Sequence, residues 1–200
     1  QNPFLDRLHR GVILADGAMG TQLYARGIPY QRCFEEVNLS NPKLVEEIHH
    51  DYMVAGAELV ETNSFGANRI KLAEHGLADK VRRINLQAAK IARGAREVWG
   101  IEVFVAGSVG PLGKPLEPVG KVTAAEAEEA FEEQIGGLLE GGVDLILLET
   151  FGDLEELSLA VGSARRVCDL PVVAQATFSE DGLTASGATP EAVAERLVSL

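Results

Sequence analysis

Five short, almost unbroken apolar runs punctuate the chain: VILA (12–15), ELVET (58–62), VFVAG (103–107), VDLILLE (143–149) and PVVAQATF (171–178). A strand with one face in water alternates polar and apolar residues. These runs do not, so they belong in a parallel sheet covered on both sides. Long stretches of helical spacing separate them. Asn41 stands before Pro42, an acceptor ahead of a proline at the first helical position, and opens a helix over 42–55. Residues 80–98 carry apolar side chains at helical intervals. Thr123 and Glu126 have the spacing of a capping box at the head of 124–140. Asp153 and Glu156 repeat that spacing ahead of 154–167. Thr189 and Pro190 start one more helix.

Strand, helix, strand, helix is the α/β pattern. The phrases VAGAELVET and LEGGVDLILLET share one plan, helix end, glycine, acid, strand and Glu-Thr. A repeated helix-to-strand unit suits a (β/α)8 TIM barrel better than an open dinucleotide-binding sheet. The G-x-G-x-x-G fingerprint is absent. GSVGPLG (107–113) has the wrong spacing, and Pro111 and Pro115 stand where a helix should begin. A closed barrel needs eight strands and typically about 250 residues. The expectation is therefore a (β/α)8 barrel of which about the first five β/α units lie within 1–200. No linker or composition shift divides them. An open sheet is the alternative.

Charge narrows the partners. With 18 basic and 30 acidic residues the formal net charge is −12. Such a surface repels phosphate backbones, which argues against nucleic acid. No basic amphipathic stretch suits an anionic membrane, and no apolar run reaches the roughly 18 residues of a transmembrane helix. The opening QNPFLDRLHRG lacks the apolar core of a signal peptide. Two cysteines, Cys33 and Cys168, make no disulfide framework in a chain of this size. A cytoplasmic protein is the expectation.

In parallel α/β folds the chemistry collects at the C-terminal ends of the strands. The first run ends at Asp16 and passes into Gly17, Ala18, Met19, Gly20 and Thr21. The second delivers Glu61, Thr62, Asn63, Ser64, Phe65 and Gly66. The third delivers Gly107, Ser108 and Gly110; the fourth Glu149, Thr150 and Phe151; the fifth Gln175 and Thr177. Asp16 and Glu149 would thus face one mouth beside a loop with free N–H groups. Two carboxylates can hold an α-ammonium, and the N–H groups of Gly17 to Thr21 can hold an α-carboxylate. A turn at Asp16-Gly17 and a structural acid at Glu149 are the plainer readings. Paired carboxylates also serve glycosidases, but a sugar site wants aromatic platforms and the chain has one Trp. His49 and His50 are neighbours on a helix and point different ways, while His9, His75, Cys33 and Cys168 have no partner at ligand spacing.

Together the phrases DGAMGTQLYARG, EEVNLSNPKLVEEIHHDYMVAGAELVETNSFGANRIKLAEHGL, VAGSVGPLG, EGGVDLILLETFGDLEEL and PVVAQATFSEDGLTASG resemble the homocysteine S-methyltransferase domain. The resemblance runs from about Val12 to Leu200. That family includes the N-terminal domain of cobalamin-dependent methionine synthase, fusions with methylenetetrahydrofolate reductase and betaine–homocysteine methyltransferase. The resemblance implies a barrel in which homocysteine binds zinc as a thiolate and takes a methyl group to give methionine. Zinc deprotonates a thiol that is otherwise mostly protonated at neutral pH. It implies methylcobalamin, charged from methyltetrahydrofolate, as methyl carrier. The partners would be homocysteine and cobalamin-, folate-binding or reductase domains of the same polypeptide.

The same resemblance gives Asp16 and Glu149 to the homocysteine amino group and Gly17–Gly20 to its carboxylate. Thr62, Asn63 and Phe65 fall to the pocket wall. The family's three zinc cysteines have no match here, and Cys33 and Cys168 do not substitute for them. They would lie beyond Leu200, so this chain is expected to carry the amino-acid clamp without the metal and to be inactive alone. A non-catalytic amino-acid-binding module, and another barrel enzyme such as an aldolase or lyase, stay open. The only lysines near strand ends, Lys71 and Lys114, fall in helix or loop stretches rather than at a strand tip.

Overall fold

The computed structural model describes residues 2–200. Nine helices and four strands follow in order among them. They are α1 (Pro3–Leu8), α2 (Met19–Ala25), α3 (Val37–Ser40), α4 (Pro42–Val54), β1 (Leu59–Glu61), α5 (Arg69–Ala73), α6 (Val81–Trp99), β2 (Phe104–Val109), α7 (Ala124–Gly141), β3 (Leu145–Phe151), α8 (Leu154–Val167), β4 (Val172–Ala176) and α9 (Pro190–Val198). The strands form one sheet in the order β1-β2-β3-β4, every pair parallel. Helices carry the chain across between successive strands.

The four longest helices end within one residue of where their spacing predicts. Side-chain caps fix the starts of three of them, α4, α7 and α8. Asn41 accepts the Leu44 N–H, Asp153 the Glu156 N–H, and Thr123 and Glu126 close a full capping box. Each satisfies N–H groups that the first helical turn leaves without partners.

The first apolar run departs from expectation. It is no strand but a single parallel bridge, Ala15 to Leu59. The N–H of Asp16 donates to Leu59 O at 2.9 Å, and Glu58 N–H to Leu14 O at 2.8 Å. The run lies at the margin of the sheet, with Val12 88% and Leu14 56% exposed. Among the described residues only Leu14, Asp16, Glu58 and Leu59 exchange backbone hydrogen bonds between this run and β1, so the pairing stops short of a ladder. Short apolar helices α1, α2, α3 and α5 lacked the length to show a helical period in the sequence.

Strand alternation divides the core into two layers. One face of the sheet, through Val60, Val105, Ile146 and Leu148, packs on α6, α7 and α8, with Phe131, Ile135, Leu138 and Leu157 fully buried between. The opposite face gathers Leu59, Ala106, Leu145 and Leu147 under Phe4 of α1, whose ring meets Phe104 edge-on at 5.4 Å. Burying a side chain of this size stabilises by roughly 1.5–3 kcal/mol. The helix pair α6 and α7 approaches closely because α7 turns glycine toward α6. A Cβ on Gly141 would stand 2.4 Å from Ala89 Cβ and 2.8 Å from Leu86 O. No helix among the described residues is long and apolar enough to cross a membrane.

Candidate functional site

Alternation also decides which side chains meet. On β1, Glu61 shares the face of Leu59; on β2, Ser108 shares that of Ala106; on β3, Glu149 shares that of Leu145 and Leu147. All three stand at or near the C-terminal ends of their strands. They therefore rise from the smaller apolar layer toward one mouth. Asp16 joins them from the bridge beside β1. A cavity of about 420 Å³ opens there, lined by Asp16, Gly17, Ala18, Met19, Gly20, Phe34, Glu35, Glu61, Thr62, Asn63, Ser64, Phe65, Ser108 and Glu149.

The carboxylates are held individually. Asp16 Oδ2 accepts the Glu61 N–H at 3.0 Å, while its Oδ1 is buried with no partner. Burial pushes the Asp16 carboxyl up to about 7, against the opposing pull of its backbone hydrogen bonds; Glu149 adds a smaller upward push. Ser108 Oγ–H donates to Glu149 Oε1 at 2.5 Å. Glu149 sits at a bulge. Leu148 pairs with Ala174 and Phe151 with Ala176, so β3 spends one residue more than β4 over the same span. Thr150 takes up the excess in a left-handed conformation, φ 65°. For a β-branched residue that costs on the order of 1–3 kcal/mol, and such strain clusters at functional sites. Glu61 and Glu149 line the same cavity. Burial first, then the charges of Glu149 and Asp16, drive the Glu61 carboxyl well above the usual range.

The turn after β1 forms the wall. Ser64 Oγ–H donates to Ser108 O at 2.7 Å, so the 2.6 Å contact between Thr62 and Ser64 hydroxyls has Thr62 as donor. Asn63 Nδ2 donates to Phe34 O and Asn38 Oδ1, and Asn38 returns a bond to Asn63 O. Gln134 Nε2, from α7, donates to Ser64 O at 2.7 Å. The polar ends of Thr62 and Asn63 are thus spent on holding the turn. Phe65 offers an apolar ring with Lys71 Nζ 4.7 Å from its centre.

The Gly17–Thr21 run is a loop only as far as Ala18; Met19 already opens α2, because Leu23 of that segment is needed in the core. No side chain caps this helix. Tyr52 pins the loop by donating its hydroxyl to Ala18 O at 3.0 Å. A Cβ at Gly17 would meet that hydroxyl at 3.0 Å, and one at Gly20 the Phe34 ring at 3.2 Å.

Of the residues expected at the site, Asp16, Gly17, Ala18, Met19, Gly20, Thr62, Asn63, Phe65 and Glu149 line one cavity. Thr21 does not; it is exposed and its hydroxyl turns back to Ala18 O. The sequence places Glu61, Ser64 and Ser108 at strand ends without a role; alternation along β1 and β2 is the signal that joins Glu61 and Ser108 to Asp16 and Glu149. Phe34 and Glu35 arrive from the irregular segment before α3, and nothing local in the sequence announces them.

The donor set does not suit a thiolate-bound zinc. The cavity offers carboxylates, whereas zinc favours cysteine sulfur and histidine nitrogen. Cys33 lies outside it, buried, with its thiol donating to Glu35 Oε2 at 3.3 Å. Burial and the Glu35 charge push that thiol up to about 12, the reverse of what a metal-binding thiolate needs. Cys168 stands at the far end of α8. His49 is enclosed within α4, and no lysine lines the cavity.

A family model described as homocysteine S-methyltransferase matches residues 13–200. The chain is 38% identical over 194 residues to methionine synthase from Mycobacterium tuberculosis, covering 89% of this chain and 16% of that protein. It is 36% identical to methionine synthase from Mycobacterium leprae with the same coverage. The chain spans 16% of the length of these curated relatives. Among solved structures, the metallated form of the homocysteine methyltransferase MmuM from Escherichia coli superposes with a TM-score of 0.82 at 28% identity, over 99% of this chain and 74% of that one. The α/β architecture with its parallel sheet is that of part of the expected barrel.

Proposed function

Because the chain belongs to the homocysteine S-methyltransferase family, we propose that its cavity binds homocysteine and that the complete protein methylates the homocysteine sulfur to give methionine. The observation that carries the reading is the pairing of Asp16 and Glu149 across a cavity without a cation among its described lining residues. The unpartnered Asp16 Oδ1 and the Ser108-braced Glu149 receive the ammonium group. The backbone N–H groups of Gly17 to Gly20 receive the carboxylate. Each charge-assisted hydrogen bond contributes roughly 1.5–3 kcal/mol, and two or three fix the orientation of so small a ligand. The side chain then lies along Phe34, Phe65 and Met19, with the sulfur directed away from the anchored end.

This chain's share of the reaction is to bind and orient the amino acid. Zinc, as the group that lowers the pKa of the thiol, would be held by residues other than those described, since the donors here do not fit it. Methylcobalamin as methyl carrier, and the domains that bind it, belong likewise to the larger polypeptide.

The test is calorimetric titration of homocysteine into the protein, followed by methionine formation in the longest natural polypeptide. Binding with a matching product supports the reading. No binding at millimolar homocysteine overturns it. Binding without methionine formation by the full polypeptide leaves an amino-acid-binding module.

A further inference from the structure

The ammonium clamp needs two carboxylates, and the cavity supplies a third within reach. Glu61 stands at the end of β1 between the other two. Its own N–H is committed to Asp16 Oδ2, and its carboxyl shares the cavity lining with Glu149. The charged groups that share the cavity lining with it are Asp16 from the bridge segment, Glu149 from β3 and Glu35. No Lys, Arg or His stands among the described lining residues. Glu35 is already engaged by the Gly66 N–H and the Cys33 thiol, and Glu149 by Ser108. Carboxylates gathered in a partly buried cavity with no cation among its described lining residues disfavour one another's ionised forms. Adjacent carboxyls settle the conflict by holding a proton between them.

We propose that Glu61 holds a proton with Glu149 in the ligand-free cavity and releases it to solvent when an α-ammonium enters, which couples amino-acid binding to proton release. The inference rests on reading the cavity as a homocysteine site. Its balance is simple: one proton leaves the carboxyl pair, one cation arrives, and no covalent bond changes. The raised Asp16 and Glu61 carboxyls agree with it. The consequence is an affinity that climbs with pH across the neutral range, by up to about tenfold per unit while a full proton is released.

Methionine is the probe, because it carries the same ammonium and carboxylate without a thiol that could itself lose a proton. Titration calorimetry at pH 7 in two buffers of different ionisation enthalpy counts the protons released. The expected result is clear release by the wild type, and smaller release, that of Asp16 alone, with a shallower pH–affinity curve in Glu61→Gln. An infrared difference spectrum between the two ligand-free proteins should show a stronger protonated-carboxyl band in the wild type, over the contribution that Asp16 makes to both. Methionine binding without proton release, equal release by Glu61→Gln, or no stronger band overturns the proposal and leaves the homocysteine site standing. Failure of both methionine and homocysteine to bind the wild type overturns the homocysteine reading, and the proposal with it.

Discussion

The backbone N–H of Glu61 donates to Asp16 Oδ2 at 3.0 Å and leaves Asp16 Oδ1 buried and unpartnered. One carboxylate therefore performs two tasks. Its first oxygen ties the bridge segment to the end of β1, and its second is kept free for a ligand. In Asp16→Asn only the amide oxygen can accept from Glu61, so the NH2 is forced toward the cavity. There it opposes an ammonium group. Homocysteine affinity should fall at least tenfold, in keeping with one lost charge-assisted hydrogen bond. Calorimetry compares the two proteins, and equal dissociation constants would remove Asp16 from the clamp.

The same substitution has a pH signature in stability. The folded Asp16 carboxyl titrates near 7 against 3.8 as its ordinary value. Between those limits the folded state holds more of the proton than the unfolded state does. Stability therefore falls as pH rises from about 4 to about 7, and the loss is complete above 7. Asp16→Asn abolishes this titration. In the absence of ligand the variant should gain on the wild type steadily over that window, by an amount on the order of 1–3 kcal/mol. Urea unfolding at pH 5, 6 and 8 measures the gap. A gap independent of pH contradicts the assignment.

What the sequence reveals here depends on how locally each feature is encoded. The α4, α7 and α8 helices were legible because Asn41, Thr123 and Asp153 are caps whose partners lie three residues away. Asp16 and Glu149 were legible because a charged residue ends an apolar run. Glu61 was seen at its strand end, yet its link to Glu149 depends on β2 lying between β1 and β3, which is a fact of topology. Phe34 and Glu35 likewise depend on contacts remote in sequence, through Asn63 and Gly66. The composition of run 12–15 predicts a strand, but a strand is a relation to neighbours, and this run pairs with β1 through a single bridge, Ala15 to Leu59.

Helix α7 offers a paired test of packing. A Cβ at Gly141 would collide with Ala89 and the Leu86 carbonyl, whereas one at Gly136 meets nothing within 4 Å. Gly141→Ala should destabilise by about 1–3 kcal/mol through overpacking against α6. Gly136→Ala should stabilise by about 0.4–1 kcal/mol, because it reduces the freedom of the unfolded chain and favours helix. Thermal or urea unfolding of both variants decides the matter, and two shifts of the same sign would contradict the close approach of α6 and α7.

His49 supplies the acid limit of the fold. Its ring is fully buried in α4, and neither ring nitrogen has a partner. Burial lowers its pKa from 6.5 to about 4, because nothing around it compensates a charge. The unfolded chain therefore binds a proton that the folded one refuses, across the window between those values. Stability is undiminished by this group above pH 6.5 and declines as pH falls toward 4, by on the order of 3 kcal/mol in all. His49→Leu removes the titration and two buried polar atoms while keeping a similar volume. Near pH 7.5 the repacking cost and the relief of unpaired nitrogens nearly offset, and the variant should lie within about 1 kcal/mol of the wild type. At pH 4.5 it should be the more stable of the two, with its acid-unfolding midpoint displaced to lower pH. Circular dichroism followed through an acid titration reads that midpoint directly. Coincident curves would mean that His49 finds a proton acceptor, and that acid unfolding is governed instead by the carboxylates in ion pairs.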